Sequence, residues 1–252
     1  MKVGITGSNG FIGKSLCRYL ESKSLSILKI QRNDLRNSIL LNSKDSIFNL
    51  NGYLEDLDVV IHCAGLVHQK DNRNYDFHDY HKFNAFSTYN LALQASMNNV
   101  KKFIFLSSIK VNGESTNLNS PFVDPYCCNP SDHYSLSKLN AESYLRDLTI
   151  KTNLKTIILR VPLVYGKDVK ANFRSLLNLV YRKVPLPFQN SNNKRSFLFI
   201  ENLCDFIYKL VLDENSSKSN TFLLSDADSL STKQLIKLIS KGFKNKPNLF
   251  PF

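Results

Sequence analysis

The chain has 252 residues, 42% of them hydrophobic and 21% charged, which suits one large domain or one domain with a smaller lobe. No apolar run approaches the roughly 20 residues that a membrane helix requires. Gly4, Thr6, Gly7, Ser8 and Asn9 break up any signal-peptide core, so a cytoplasmic protein without membrane insertion is expected. The formal net charge is +12, but Lys and Arg are scattered with no long basic run, so an anionic ligand is expected rather than nucleic acid. Five cysteines (Cys17, Cys63, Cys127, Cys128, Cys204) make an odd count without metal-ligand spacing, which fits a reducing compartment and no metal site.

In chain order, Lys2–Thr6 predicts a buried strand, Ile12–Glu21 a helix and Leu25–Ile30 a second strand. Asp58–Ala64, "DVVIHCA", predicts a strongly apolar strand that starts with a carboxylate. Asn84–Asn98 predicts a helix, Lys102–Ser107 a strand, His133–Leu148 a long helix and Lys155–Val161 a further strand. Alternating helices and near-continuous apolar strands imply an α/β fold: a Rossmann-type, doubly wound parallel sheet covered on both faces. The pattern changes after Pro162. "KVPLPF" (183–188) and "RSFLFI" (195–200) are short pieces, Glu201–Leu212 reads as helical, and Thr221–Leu224 reads as one more strand. The expected division is a dinucleotide-binding domain over 1–163 and a small C-terminal substrate-binding lobe over 164–252, with some elements returning to the first domain.

The stretch "TGSNGFIG" puts Gly7, Gly10 and Gly13 between the first strand and the first helix. Gly7 allows a tight turn, Gly10 lets backbone approach a pyrophosphate, and Gly13 lets helix pack on strand. The helix N-terminus then offers free N–H groups and the positive end of its dipole to phosphate. At the end of the second strand a carboxylate would hold the ribose hydroxyls of NAD. Here Gln31 and Arg32 stand in that place. Arg32 could pair with a 2′-phosphate, which leans toward NADP(H), while Asp34 lies near enough to leave NAD open.

The strand "KFIFLS" ends in Ser107-Ser108, and "HYSLSK" follows with Tyr134 and Lys138 four residues apart on one face of a predicted helix. A phenol is a poor base at neutral pH, and a nearby ammonium is expected to lower its pKa. Such a pair can move a proton on or off an alcohol hydroxyl, with a strand-end serine bonded to the same oxygen and a nicotinamide taking or giving the hydride.

With these motifs in this order, the chain resembles the extended short-chain dehydrogenase/reductases, the family of nucleotide-sugar epimerases, dehydratases and ketoreductases. "TGSNGFIG" matches TGxxGxxG and "YSLSK" matches YxxxK. "SSIKVNG" resembles the family's serine strand end, where the catalytic residue lies five before a glycine. Counting back from Gly113 selects Ser108 over Ser107. "NAFSTYNL" resembles an Asn-x-x-x-Thr helix, making Asn84 a structural or cofactor-side residue, and "LRVPLVYG" places Pro162 beside the nicotinamide. The resemblance implies Ser108, Tyr134 and Lys138 as catalytic residues. It implies cofactor contacts at Gly7, Gly10, Phe11, Ile12, Gly13, Gln31, Arg32, Ala64, Asn84, Tyr134, Lys138 and Pro162. It also implies a possible homodimer through the helices at Asn84–Asn98 and His133–Leu148.

The resemblance narrows the reaction as well. In the family's 4,6-dehydratases an Asp-Glu pair follows the catalytic Ser or Thr, whereas Ile109-Lys110 follow Ser108 here. Epimerisation at C4 of a UDP-hexose and reduction of a 4-keto sugar both remain, as does a non-catalytic dinucleotide binder. "KVPLPFQNSNNKRSFLFIENL" is similar to bacterial UDP-sugar epimerases and 4-ketoreductases of surface-polysaccharide synthesis. The resemblance implies Arg195 in this stretch at the substrate diphosphate, and Asn172, in the earlier "ANF", near the phosphates. Relatives commonly run past 300 residues, so a fragment or a shortened form is left open.

Overall fold

A computed structural model describes residues 1–31, 38–40, 50, 52–67, 75–117, 120–123, 125–213 and 220–251. The chain divides into two compact units, Met1–Val161 with Cys204–Leu224, and Pro162–Leu203 with Ser225–Phe252.

The first unit is a parallel sheet with its helices. In chain order it contains β1 (Lys2–Thr6), α1 (Phe11–Ser22), β2 (Ser26–Gln31), β3 (Ser38–Leu40) and β4 (Val59–His62). A helical run follows, made of α2 (Phe77–Tyr80), a π-helical segment (His81–Phe86) and α3 (Ser87–Met97). Then come β5 (Lys102–Ser108), a 3₁₀ turn (Ile109–Val111), α4 (His133–Lys151) and β6 (Lys155–Val161). The sheet order is β3-β2-β1-β4-β5-β6-β9, where β9 is Asn220–Leu223, and every pairing is parallel. The order reverses between β1 and β4, and ligands of open parallel sheets bind at the carboxyl ends of the strands beside such a reversal. The glycine-rich turn leaves β1 at this point.

The strands form where the apolar runs are. Every residue of β4 and β5 is buried, as are six of the seven in β6, the pattern of a sheet covered on both faces. Residues Gly13, Leu16, Cys17 and Leu20 of α1 are buried, one stripe at helical spacing. Asp132 starts α4 with a capping box, accepting from the Ser135 N–H at 2.6 Å while Ser135 Oγ accepts from the Asp132 N–H at 3.1 Å. The helical run before α3 begins well ahead of the expected Asn84 start, and Asn84 lies inside its π-helical segment. β3 has no counterpart among the sequence-derived strands.

The second unit holds β7 (Leu163–Tyr165), α5 (Ala171–Tyr181), β8 (Phe197–Phe199) and α7 (Thr232–Gly242). Helix α6 (Ile200–Leu212) begins in the second unit and ends in the first. β7 and β8 pair in parallel, and Val180, Leu186 and Ile236 form a small apolar core. Among the described residues no helix is long and apolar enough to cross a membrane.

A buried lysine ties the returning segment to the sheet. Lys102, only 6% exposed at the start of β5, donates to the carbonyls of Leu210 at 2.9 Å and Val211 at 3.2 Å, and to that of Asp213. These carbonyls end α6, where intrahelical donors run out and the dipole favours a cation. Lys102→Met keeps the apolar stem and strands these acceptors. It is expected to lower stability by about 2 kcal/mol in urea denaturation; an unchanged unfolding midpoint would show that the contact contributes nothing.

Candidate active site

The glycine-rich turn is built for close approach. Gly7 has a φ of +67°, and a Cβ built there would lie 2.7 Å from the backbone nitrogen of Ala64. On Gly13 a Cβ would lie 2.3 Å from the carbonyl oxygen of Gly7. Gly10 caps α1 with no side-chain hydrogen bond, and the first turn of α1 holds no acidic residue. The N–H groups of Phe11, Ile12 and Gly13 therefore lie in a first turn that no side chain caps and whose dipole end favours an anion. This donor set fits the pyrophosphate of a dinucleotide. Gln31 ends β2 with its side chain buried, and Ser8 Oγ donates to its Oε1 at 3.4 Å. Arg32 and Asp34 lie outside the described residues.

From Ala64 the chain runs past Gly65, where a side chain would be tightly crowded. A Cβ there would stand 3.2 Å from Asn84 Oδ1 and 3.3 Å from Lys138 Nζ. Asn84 is buried and grips this segment twice. Its Oδ1 accepts from the Leu66 N–H at 2.7 Å, and its Nδ2 donates to the Leu66 carbonyl at 2.9 Å. Gly7, Ala64, Gly65, Asn84 and Lys138 thus form one continuous set of contacts.

The two serines ending β5 part ways, as successive residues of a strand do. Ser107 donates to Glu142 Oε1 at 2.6 Å, inside a buried cluster in which Arg160 Nε and one of its terminal nitrogens also bond Glu142, at 2.9 and 2.6 Å. Ser108 shares a hydrogen bond with the Tyr134 phenol. Its Oγ also accepts from the Lys110 N–H at 3.2 Å. The sequence-based choice of Ser108 therefore falls on the serine that meets Tyr134. Lys110 follows where a dehydratase would carry a carboxylate, and its ammonium bonds Glu114 at 2.6 Å and Asp132 at 2.9 Å.

Lys138 is buried beside them. Its Nζ donates to the Leu106 carbonyl at 2.9 Å, stands 4.5 Å from the centre of the Phe105 ring and 6.0 Å from that of Tyr134. Burial lowers its pKa to about 8, against raising contributions from Cys63 and Glu142. Tyr134 departs from expectation. Desolvation pushes its pKa up to about 12, outweighing the Ser108 hydrogen bond and the Lys110 charge that favour phenolate. The anticipated depression by Lys138 is absent because burial dominates and the ammonium is directed to the Leu106 carbonyl and the Phe105 ring. At neutral pH the site holds a protonated phenol beside a lysine close to its own titration midpoint.

A model of the NAD dependent epimerase/dehydratase family matches residues 3–224. The chain belongs to this family. A family member from Vibrio cholerae, a UDP-glucose 4-epimerase, is 38% identical over 245 residues, spanning 92% of this chain and 73% of that protein. The UDP-2-acetamido-2,6-beta-L-arabino-hexul-4-ose reductase of Pseudomonas aeruginosa is 25% identical over 216 residues, 84% of this chain and 50% of that protein. In fold, the chain is similar to the UDP-N-acetylglucosamine 4-epimerase from Bacillus cereus, with a TM-score of 0.85 at 22% identity over 99% of this chain and 84% of that one.

The other expected residues have plain placements. Asn172 lies exposed in the first turn of α5. Arg195 is exposed and its backbone pairs with Leu230 in both directions at 3.0 Å. Pro162 opens the second unit. Four residues around the site were not singled out from sequence: His62, Gly65, Phe105 and Glu142. A histidine inside the apolar "VVIHCA" and a glycine just after it were the available signals. Gly13→Ala forces overpacking against the Gly7 carbonyl, at a cost of about 1–3 kcal/mol. NADH binding, followed by fluorescence titration, is expected to weaken roughly tenfold or more; unaltered affinity would mean that the turn does not carry the dinucleotide.

Proposed function

We propose that the protein performs NAD(P)-dependent oxidoreduction at C4 of a UDP-hexose, as a UDP-sugar 4-epimerase. The observation that carries this reading is the grouping of Ser108, Tyr134 and Lys138, contiguous through Gly65 and Ala64 with a glycine-rich turn suited to pyrophosphate. The 38% identity to a UDP-glucose 4-epimerase supports the substrate class. The bound dinucleotide would supply the hydride acceptor and donor, held at Gly7, Gly10, Phe11, Ile12, Gly13, Ala64 and Asn84, with Gln31 and Arg32 at the ribose and Pro162 beside the ring.

In this reading the Tyr134 oxygen takes the C4 hydroxyl proton when the sugar is oxidised and returns it when the keto group is reduced. Ser108 bonds the same substrate oxygen and orients it. The Ser108 hydrogen bond and the Lys110 charge ease loss of the phenol proton, which burial otherwise retains. In its protonated form the phenol is ready for the reductive half. Arg195 and Asn172 are assigned to the substrate diphosphate, where a guanidinium forms charge-assisted bonds. The Ile109-Lys110 pair offers no carboxylate for eliminating water, so dehydration is set aside.

A second reading is favoured by one observation. Gln31 places a neutral carboxamide where NAD enzymes use an acid, and Arg32 follows it, which suits NADPH and a 4-ketoreductase. The test is incubation with UDP-glucose or UDP-N-acetylglucosamine and catalytic NAD, reading the product sugar by NMR and the absorbance at 340 nm. Interconversion at C4 without net cofactor change is expected, with Tyr134→Phe slower by about a hundredfold or more. Stoichiometric NADPH consumption with a UDP-4-keto sugar would establish the reductase instead, and dinucleotide binding without turnover would leave a non-catalytic binder.

A further inference from the structure

A file of buried hydrogen bonds crosses the first unit from β1 to α4, and its direction can be deduced. The Thr88 hydroxyl donates to the Asn84 carbonyl at 2.6 Å, an atom that only accepts. With its one proton used there, Thr88 Oγ1 is the acceptor toward His62 Nε2, 3.0 Å away, so Nε2 carries a proton. His62 is neutral, because burial and then the charge of Lys138 push its pKa down to about 3. Nδ1 is therefore bare and accepts from the Thr6 hydroxyl at 2.6 Å. Thr6 Oγ1 in turn accepts from the Ala64 N–H at 3.3 Å. On the other side Asn84 Nδ2 donates to Ser137 Oγ at 3.0 Å, and Ser137 donates to the Tyr134 carbonyl at 2.7 Å. Each hydroxyl uses its proton once, and no donor meets a donor.

We propose that His62, locked as the neutral Nε2–H tautomer, is a positioning residue. Through Thr88 and Asn84 it registers the turn after β4 and the N-terminal turn of α4 against the glycine-rich turn, and so sets where Tyr134 and Lys138 stand. This rests on the role given above to those two residues. His62 touches no reacting atom. Its ring stacks on Phe105 with centroids 5.8 Å apart at 18°, and Lys138 Nζ stands over the same Phe105 ring. Asn84 lies within the π-helical segment, a feature frequent at functional sites.

Thr88→Val removes the link between His62 and Asn84 at nearly constant shape. Ile158→Val, in the buried core outside the file, is the comparison at similar loss of melting temperature. Two readouts need no substrate. In ¹⁵N-histidine spectra of the parent, His62 is expected to keep the neutral Nε2–H pattern from pH 5.5 to 8. In ¹³Cε-lysine spectra, assigned with Lys138→Met, the Lys138 midpoint near 8 is expected to rise toward the ordinary lysine value in Thr88→Val and to stay in Ile158→Val. The groups facing that ammonium, Cys63, His62, Tyr134 and Glu142, are unchanged in both variants. With turnover, kcat is expected to fall about tenfold in Thr88→Val at nearly constant KM. A protonated or Nδ1–H His62, an unmoved Lys138 midpoint in Thr88→Val, or an equal movement in Ile158→Val would overturn the proposal. A parent protein inactive on UDP-sugars would contradict the proposed function and leave the two spectroscopic results to decide this inference.

Discussion

The rest of the site is arranged around one constraint, the burial of the Lys138 ammonium at the carboxyl end of an apolar sheet. An ammonium in such a place loses hydration that only aligned acceptors can offset. The Leu106 carbonyl at 2.9 Å and the face of Phe105 at 4.5 Å supply part of that. The absence of a side chain at Gly65 leaves the space in which Nζ sits. Any larger residue there would press on Lys138 and Asn84 together. Desolvation of its own phenol explains why Tyr134 retains its proton against the Ser108 hydrogen bond and the Lys110 charge.

The surrounding frame makes this arrangement reproducible. β5 delivers two serines to opposite sides, one to the Glu142–Arg160 cluster and the other to Tyr134. Arg160 is wholly buried, and besides Glu142 it bonds Asn112 Oδ1 at 2.8 Å. A buried ion pair is a weak source of net stability but a costly one to break. Here it anchors the strand end behind Ser108 and the middle of the helix that carries Tyr134 and Lys138. Beyond those side chains, the parallel order of the strands brings the glycine-rich turn and the ends of β4 and β5 to one edge of the sheet.

Much of this was legible in the sequence, for physical reasons. β1 and β6 begin and end where their apolar runs do, because strands buried on both faces are near-continuously apolar, the buried Arg160 of β6 being paired with Glu142. α4 starts at the expected His133, just after the Asp132 capping residue. The glycine spacing located the close-approach turn after β1, and the count from Gly113 picked out the serine that shares a hydrogen bond with Tyr134. Other features were hidden. β3 is three residues long, and the π-helical segment breaks the periodicity that marks a helix, so neither leaves a pattern. The pKa of Tyr134 depends on the balance between burial and charges contributed by distant parts of the chain. Spacing along α4 alone could not reveal that Lys138 is directed to the Leu106 carbonyl. The partners of His62 come from three separate elements, so their common file is visible only in three dimensions.

The central proposal is that Tyr134 moves the proton and that Lys138, buried and with a lowered pKa, must be charged for turnover. Its most direct test is the pH dependence of kcat/KM on the UDP-sugar from pH 6 to 10. Because the pKa of Lys138 is depressed, its charge is lost above about 8 rather than at the ordinary lysine value. The phenolate fraction of Tyr134 grows with pH, so the account predicts that kcat/KM rises with pH and that this rise breaks near 8, where the Lys138 charge is lost, with no such break in the residual activity of Lys138→Met. A profile unbroken through pH 8 in the parent, or an identical break in Lys138→Met, would contradict it.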